Sequence, residues 1–394
     1  MRTDPPTPPT AVPGPFDPPV TAGRGDPREP VFRTRYPDGT SGWVAVGYPA
    51  IRAILADPRF SARSELRRNP YQDAPAEPAR PGMFIAMDPP DHTRYRRLLT
   101  GQFTVRRMRR LTDRVERIAE EHLDRLAAAG PPADLVPAYT APVPALVICE
   151  LLGVPAGYRD HFQREVARMS RRDITAPDRR RAVDDIAAYL RDLVRDKRAA
   201  PTDDVLGGLV ADAGHLTDEE LANLAFLLLG AGFDTTANVL ALGAFALLTH
   251  PGQIPAITDP ARIDAAVEEL LRYLPVVPGT VRVALEDVEV AGVRIAAGET
   301  VLLSLPGGNR DPGRYADPET LDLGRAAGGH LAFGHGVHQC LGQQLARVEL
   351  RVAFPALFRR FPGLRLAVPP EQVPLRSDMV IHGVHALPVT WTGG

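Results

Sequence analysis

HLAFGHGVHQCLG, residues 330–342, sets Cys340 among His330, His335 and His338 and, counting the preceding Gly329, four glycines, in a 394-residue chain with only one other cysteine. Such a loop asks for a specific chemistry. An iron–sulfur cluster needs about four thiolates. Zinc could draw on the three histidines and the thiol, but structural zinc sites take ligands in short pairs from separated knuckles, not from a single glycine-rich loop. A nucleophilic thiol beside His338 is compatible with the spacing, although nothing else in the chain resembles a cysteine hydrolase. An inert buried thiol, the reading that suits Cys149 in ALVICELLGV, leaves the glycines unexplained.

The fourth reading is an axial thiolate on haem iron. A flat macrocycle lying on the loop requires side chains to be absent, which Gly334, Gly336 and Gly342 allow. Backbone N–H groups of a tight loop and the N-terminus of the helix that follows favour the anionic sulfur. Phe333 would pack on the same side of the ring.

Outside this loop the composition is that of a soluble globular protein, with 44% hydrophobic and 24% charged residues. A formal net charge of −2 gives no overall attraction to nucleic acid. Lys197 is the only lysine, so the positive charge is almost all arginine. Two cysteines make no disulfide framework and suit a reducing, cytoplasmic compartment. Residues 1–25 read as a proline-rich arm without the apolar core of a secretory signal, and residues 26–394 as a single domain.

The strongest periodic segment is LTDEELANLAFLLLGAGFDTTANVLALGAFALLTHPG, from Leu216 to Gly252. Thr217 with Glu220 forms a capping box and His250-Pro251-Gly252 a stop, predicting one helix of about 30 residues and ~45 Å. Its length suits a membrane span, but Asn223, Asp234, Thr235, Thr236 and Asn238 interrupt it, and a carboxylate at mid-membrane costs about 3 kcal/mol. A buried central helix is the expectation. Other helices are expected over residues 91–129, 140–170, 178–199 and 261–275 and after the cysteine loop. Strands are expected in two minor groups, with a hairpin at Asp38-Gly39, so the fold class is mainly α with small β-sheets.

Phe333 to Gly342 resembles, position by position, the FGxGxHxCxG signature of the cytochrome P-450 superfamily, and three further matches follow in that family's order. Ala231-Gly232-Phe233-Asp234-Thr235 resembles the oxygen-activation motif. Independently, the Thr235 hydroxyl lies one turn from the Ala231 carbonyl and can bond back to it, bending the helix, while Gly232 clears a notch and Asp234 can relay protons. Glu269 and Arg272 resemble the ExxR pair, whose role in the family is structural. Met87 to Thr104 resembles the haem-clamping helix.

The resemblance implies the cytochrome P-450 fold, with the long central helix over haem b, and a monooxygenase of the soluble actinobacterial type. Cys340 would bind the iron, and Phe333, Gly334 and Gly342 would line the macrocycle. His92, Arg96, Arg282 and His338 would meet the propionates. Carried over by position, Phe84, Leu228, Val276, Val277, Gly279, Val380 and Ile381 would line a pocket for a bulky apolar substrate of secondary metabolism, to be hydroxylated, epoxidised or oxidatively coupled. Electrons would come from NAD(P)H through a ferredoxin reductase and ferredoxin, with Arg106, Arg107, Arg109 and Arg110 in the docking face. No nucleic acid or membrane partner is expected, and the state expected is a monomer. The rival is a haem-thiolate gas or redox sensor, for which a proton relay at Asp234 and Thr235 would have no use.

Overall fold

The computed structural model describes residues 15–16, 28–36, 39–67, 77–103, 105–169, 174–212, 215–377 and 379–392. Helices dominate, and the strands fall into three small sheets where the sequence predicts two groups. Strands β1 (Val31–Arg35) and β2 (Ser41–Ala45) form the expected hairpin, with Val31 opposite Ala45; Pro37 and Asp38 of its turn lie outside the described residues. Helix α1 (Tyr48–Ala56) and strand β3 (Phe60–Ser61) follow.

The helix expected over 91–129 is two, α2 (Asp91–Gln102) and α3 (Val105–Ala129), broken at Phe103, whose ψ of 54° is non-helical. Arg107 caps the break by donating to the Gln102 carbonyl at 2.9 Å. After β4 (Ala133–Asp134), the 140–170 segment is likewise α4 (Pro142–Leu152) and α5 (Ala156–Met169). Gly153 ends α4 at φ +67°, and a Cβ there would lie 2.0 Å from the Asp204 carboxylate. Only glycine meets both conditions.

Helix α6 (Ala176–Ala199) starts on Thr175, whose hydroxyl accepts the Asp178 N–H at 3.2 Å. It ends with the ammonium of Lys197 buried against Asp204 and Thr202, at the mouth of α7 (Val205–Asp212), a helix too short to show a period. Helix α8 (Asp218–Thr249) is the long central helix, 32 residues or about 48 Å. Both halves of its capping box form. It packs among α4, α6 and α12 and is mostly buried, so its apolar length serves the core. Phe16, in the proline-rich arm, is buried on its flank, 5.1 Å from the Phe245 ring and 6.0 Å from Tyr273.

The rest comprises α9 (Ile254–Thr258), α10 (Ile263–Tyr273), β5 (Gly279–Ala284), β6 (Val288–Val290), β7 (Val293–Ile295), β8 (Thr300–Ser304), α11 (Leu305–Asn309), α12 (Gln343–Arg360), β9 (Arg365–Leu366) and β10 (Pro388–Thr390). The largest sheet runs β1-β2-β8-β5-β3, with only β2 and β8 parallel. On α10, Glu269 and Arg272 are fully buried and doubly bonded, at 2.6 and 2.8 Å. Arg272 also donates to the carbonyls of Asn309, Pro318 and Thr320, and Glu269 accepts from the Asp322 N–H and from Arg325. The extra bonds land on the end of α11 and on the irregular segment that runs from it to the cysteine loop. Removing one partner would strand a buried charge, at roughly 3–5 kcal/mol.

At the start of α8, Glu220 accepts from the Tyr95 hydroxyl at 2.6 Å, the Arg94 guanidinium at 2.8 Å and the Thr217 N–H at 2.7 Å. Burial pushes its carboxyl up, but these bonds more than offset that and hold it down at about 2. Because the folded value is the lower one, the stabilisation is present above the unfolded carboxylate range and is lost as pH falls from about 4.5 to 2. Glu220→Gln should therefore remove about 3 kcal/mol of the stability difference between pH 7 and pH 2 in urea titrations. An unchanged acid limb would contradict this assignment.

Candidate active site

The cysteine loop is a tight turn feeding α12. Gly334 and Gly336 have φ of +67° and +73°, and the Cys340 N–H donates to the Phe333 carbonyl at 2.9 Å. A Cβ on Gly336 would lie 2.2 Å from the Leu55 carbonyl, so this glycine seats the loop on α1; the expectation that it clears a macrocycle is corrected. A Cβ on Gly334 or Gly342 would meet nothing within 4 Å. Burial pushes the Cys340 thiol up, opposed by the Gly342 N–H, the charges of Arg96 and Arg347, and the Gln343 N–H. The start of α12 thus aims two backbone donors at the sulfur. Phe333 is partly buried at the edge of the core.

Cations gather beside this loop. His92 and Arg96 lie on one face of α2, and the His92 ring is 4.3 Å from that of His338. His92 is 2% exposed, and neither ring nitrogen has a hydrogen-bond partner among the described residues. Arg282, in β5, donates to the Thr280 hydroxyl and the Val281 carbonyl, and no described carboxylate pairs with it. Burial pushes Arg282 down to about 10, helped by Arg67. Burial, then the charges of Arg282, His92, Arg67 and Arg96, pushes His338 down to about 3. Arg67, which no sequence motif marks, joins this cluster: burial pushes its half-buried guanidinium down, opposed by Asp88 and Glu65.

Haem fits this set. With both imidazoles held neutral, Arg67, Arg96 and Arg282 stand against the carboxylate of Asp88, which itself accepts from the Ser61 hydroxyl and the Ala62 N–H. Among the described residues positive charge is in excess here, which is what two propionates would cancel, and the orphaned His92 nitrogens are donors or acceptors waiting for such a group. The thiol under its two N–H groups suits a thiophilic iron.

The middle of α8 opens beyond its exposed first turn: Gly230 and Ala231 are exposed amid buried leucines. Thr235 donates its hydroxyl to the Ala231 carbonyl at 2.6 Å, yet the helix continues through this point. Gly232 faces α4, where a Cβ would lie 2.9 Å from Ile148 Cδ1, so it lets two helices approach and does not form the notch. Asp234 is held by Arg376, with Nη1 donating to Oδ1 at 2.8 Å and Nη2 to Oδ2 at 3.4 Å, and by Asn238 Nδ2 at 3.0 Å. Arg376 lies on the C-terminal turn, where Leu375 bridges to Val384 and the Gly383 backbone approaches Asn238 too closely for any side chain. No spacing in the sequence signals this contact.

Among the pocket positions, Phe84, Leu228 and Val276 are buried, Phe84 lying 5.8 Å from the His92 ring. Val277, Gly279 and Ile381 are half-buried and Val380 is exposed. Arg107 and Arg110, expected on a docking face, are bonded to the exposed Asp203 at 3.3 and 2.6 Å; the side chains of Arg106 and Arg109 lie outside the described residues.

A family model described as Cytochrome P-450 matches residues 262–385. The chain is 50% identical over 378 residues to cytochrome P-450 105C1 of a Streptomyces species, covering 95% of this chain and 96% of that one. It is 42% identical over 370 residues to the mycinamicin IV hydroxylase/epoxidase of Micromonospora griseorubida, covering 92% and 93%. The crystal structure of CYP105P1 in complex with filipin I superposes with a TM-score of 0.90 at 42% identity, over 99% of this chain and 100% of that chain.

If Arg376 and Asp234 are paired as described, a double-mutant cycle with Arg376→Met and Asp234→Asn should give a coupling energy of about 1–3 kcal/mol in urea unfolding. Additive losses would show that the pair does not form.

Proposed function

The chain belongs to the cytochrome P-450 family, and on that premise we propose that it is a haem-thiolate monooxygenase tailoring a bulky apolar secondary metabolite by hydroxylation, epoxidation or oxidative coupling. The observation that carries the reading is a single one: a partly buried thiol at the start of α12 beside a cluster of described groups with an excess of positive charge. Bound there, haem b supplies activation of O2 and insertion of one of its atoms, with electrons from NAD(P)H through a reductase and a ferredoxin-type carrier. Cys340 would hold the iron, and His92, Arg96, Arg282 and His338, joined by Arg67, would hold the propionates.

The chain's own groups then have separable tasks. The backbone N–H groups of Gly342 and Gln343 favour the anionic form of the Cys340 sulfur. Thr235 keeps its proton on Oγ1, directed at the Ala231 carbonyl; to donate toward the pocket it must turn from that bond. Asp234 is the nearest carboxylate along the helix, and its oxygens are engaged by Arg376 and Asn238. Phe84, Leu228, Val276, Val277 and Ile381 would surround the substrate with apolar atoms and exclude water from it. The protein works as a cytoplasmic monomer in this reading, supported by its ordinary soluble composition and isolated cysteines.

A gas or redox sensor would need the cation cluster and the thiol but neither Thr235 nor Asp234. The relative named a hydroxylase/epoxidase favours the oxygenase. The reduced, carbon-monoxide-bound holoprotein should show the red-shifted absorption band of a thiolate-ligated haem, and Cys340→Ser should abolish it. Thr235→Ala should keep that band and continue to consume NAD(P)H, while product formed per NAD(P)H drops about tenfold or more. A wild-type protein without the band would overturn the reading, and unchanged coupling in Thr235→Ala would favour the sensor.

A further inference from the structure

Two adjacent carboxylates of α10 serve different partners. Glu269 turns to Arg272, whereas Glu268, about 100° round the helix, reaches α12. There Arg347 donates to it twice, Nε to Oε1 at 2.6 Å and Nη2 to Oε2 at 3.0 Å. His330 Nε2 lies 3.3 Å from the same carboxylate. Burial pushes the Glu268 carboxyl up, but His330 and Arg347 more than offset that and hold it at about 2, so it is a full negative charge at neutral pH.

Arg347 is more than a structural cation. Its guanidinium carbon sits 4.6 Å from the centroid of the Phe333 ring, and the His330 ring packs on that ring from 5.7 Å. Phe333 in turn accepts the Cys340 N–H through its carbonyl. With side chains 14% and 21% exposed, Arg347 and Glu268 are shielded from most of the screening that weakens surface charges.

We propose that Glu268 is a positioning residue for the redox chemistry at Cys340: it holds Arg347 against Phe333 and, by neutralising that guanidinium, keeps the reduction potential of the bound iron low. The proposal rests on the haem-thiolate reading. In the reduction, one electron from an external donor enters the iron, no bond is made or broken there, and the site becomes more negative by one unit. A lone positive charge nearby stabilises that reduced form. A positive charge with a carboxylate in contact acts only as a dipole, whose influence falls off faster with distance.

The sign of each substitution follows. Glu268→Gln keeps the shape and exposes the charge of Arg347, so the potential rises. Arg347→Gln exposes Glu268, so the potential falls, and the double variant returns close to wild type. Arg347→Lys keeps the charge, loses the fork and stays close to wild type.

Reductive titration of the holoprotein with dithionite and mediator dyes, followed by absorbance, measures all four. At fixed poise, the reduced-to-oxidised ratio should rise at least about threefold in Glu268→Gln and fall at least about threefold in Arg347→Gln, where tenfold is 59 mV for one electron. Shifts in the same direction, or none, overturn the proposal, since loosened packing would move both variants alike. Should Arg347→Gln not take up haem, Arg347→Lys decides: a shift as large as that of Glu268→Gln overturns it. Wild-type protein lacking the thiolate band would instead sink the haem-thiolate reading, which separates the two failures.

Discussion

A guanidinium and a carboxylate that touch no water, those of Arg272 and Glu269, are the constraint on which the cysteine-bearing part of the fold depends. Such a pair is tolerable only when every remaining donor and acceptor is used. Here they are used on the backbone of Asn309, Pro318, Thr320 and Asp322, a stretch with almost no regular structure. Asn309 passes the order on by accepting the Leu331 N–H at 2.5 Å, at the entrance to the cysteine loop. Glu220 does similar work at the start of α8, fixing a junction between elements with a charge that has several partners.

The cation cluster at His92, Arg282 and His338 obeys the opposite logic. Its charges are withdrawn from water without enough carboxylates among the described residues, which lowers the affinity of the basic groups there for a proton. Charges arranged in this way are stabilised by a bound anion, and the binding free energy of that anion becomes folding free energy. Cofactor retention and stability are therefore one quantity in this protein, and the loop carrying Arg67 belongs to it through Asp88.

What the sequence revealed follows from what is local. The Thr217 capping box, the long apolar helix, the Thr235 back-bond and the cysteine loop each depend on residues within a turn or two, so spacing alone exposes them. Helix ends set by a contact from afar were not legible: Gly153 terminates α4 because Asp204 stands behind it, and the break at Phe103 is held by Arg107. Likewise Gly232 and Gly336 carried a pattern, but their purpose lay in neighbours, Ile148 and Leu55, that no motif contains. Arg376 and Glu268 escaped for the same reason. Their partners stand far away in the chain, and a single arginine or glutamate has no signature of its own.

The arginine-rich character of the chain leaves one further mark at the junction of α6 and α7. The sole side-chain amine, that of Lys197, is spent on Asp204 and Thr202 and is 8% exposed. Succinimidyl esters, aldehyde fixatives and acyl-transferring enzymes all need a free, solvent-facing ammonium to deprotonate and attack. For such reagents the described surface of this protein is nearly inert, and lysine-directed crosslinking or support coupling will find no foothold among the described residues.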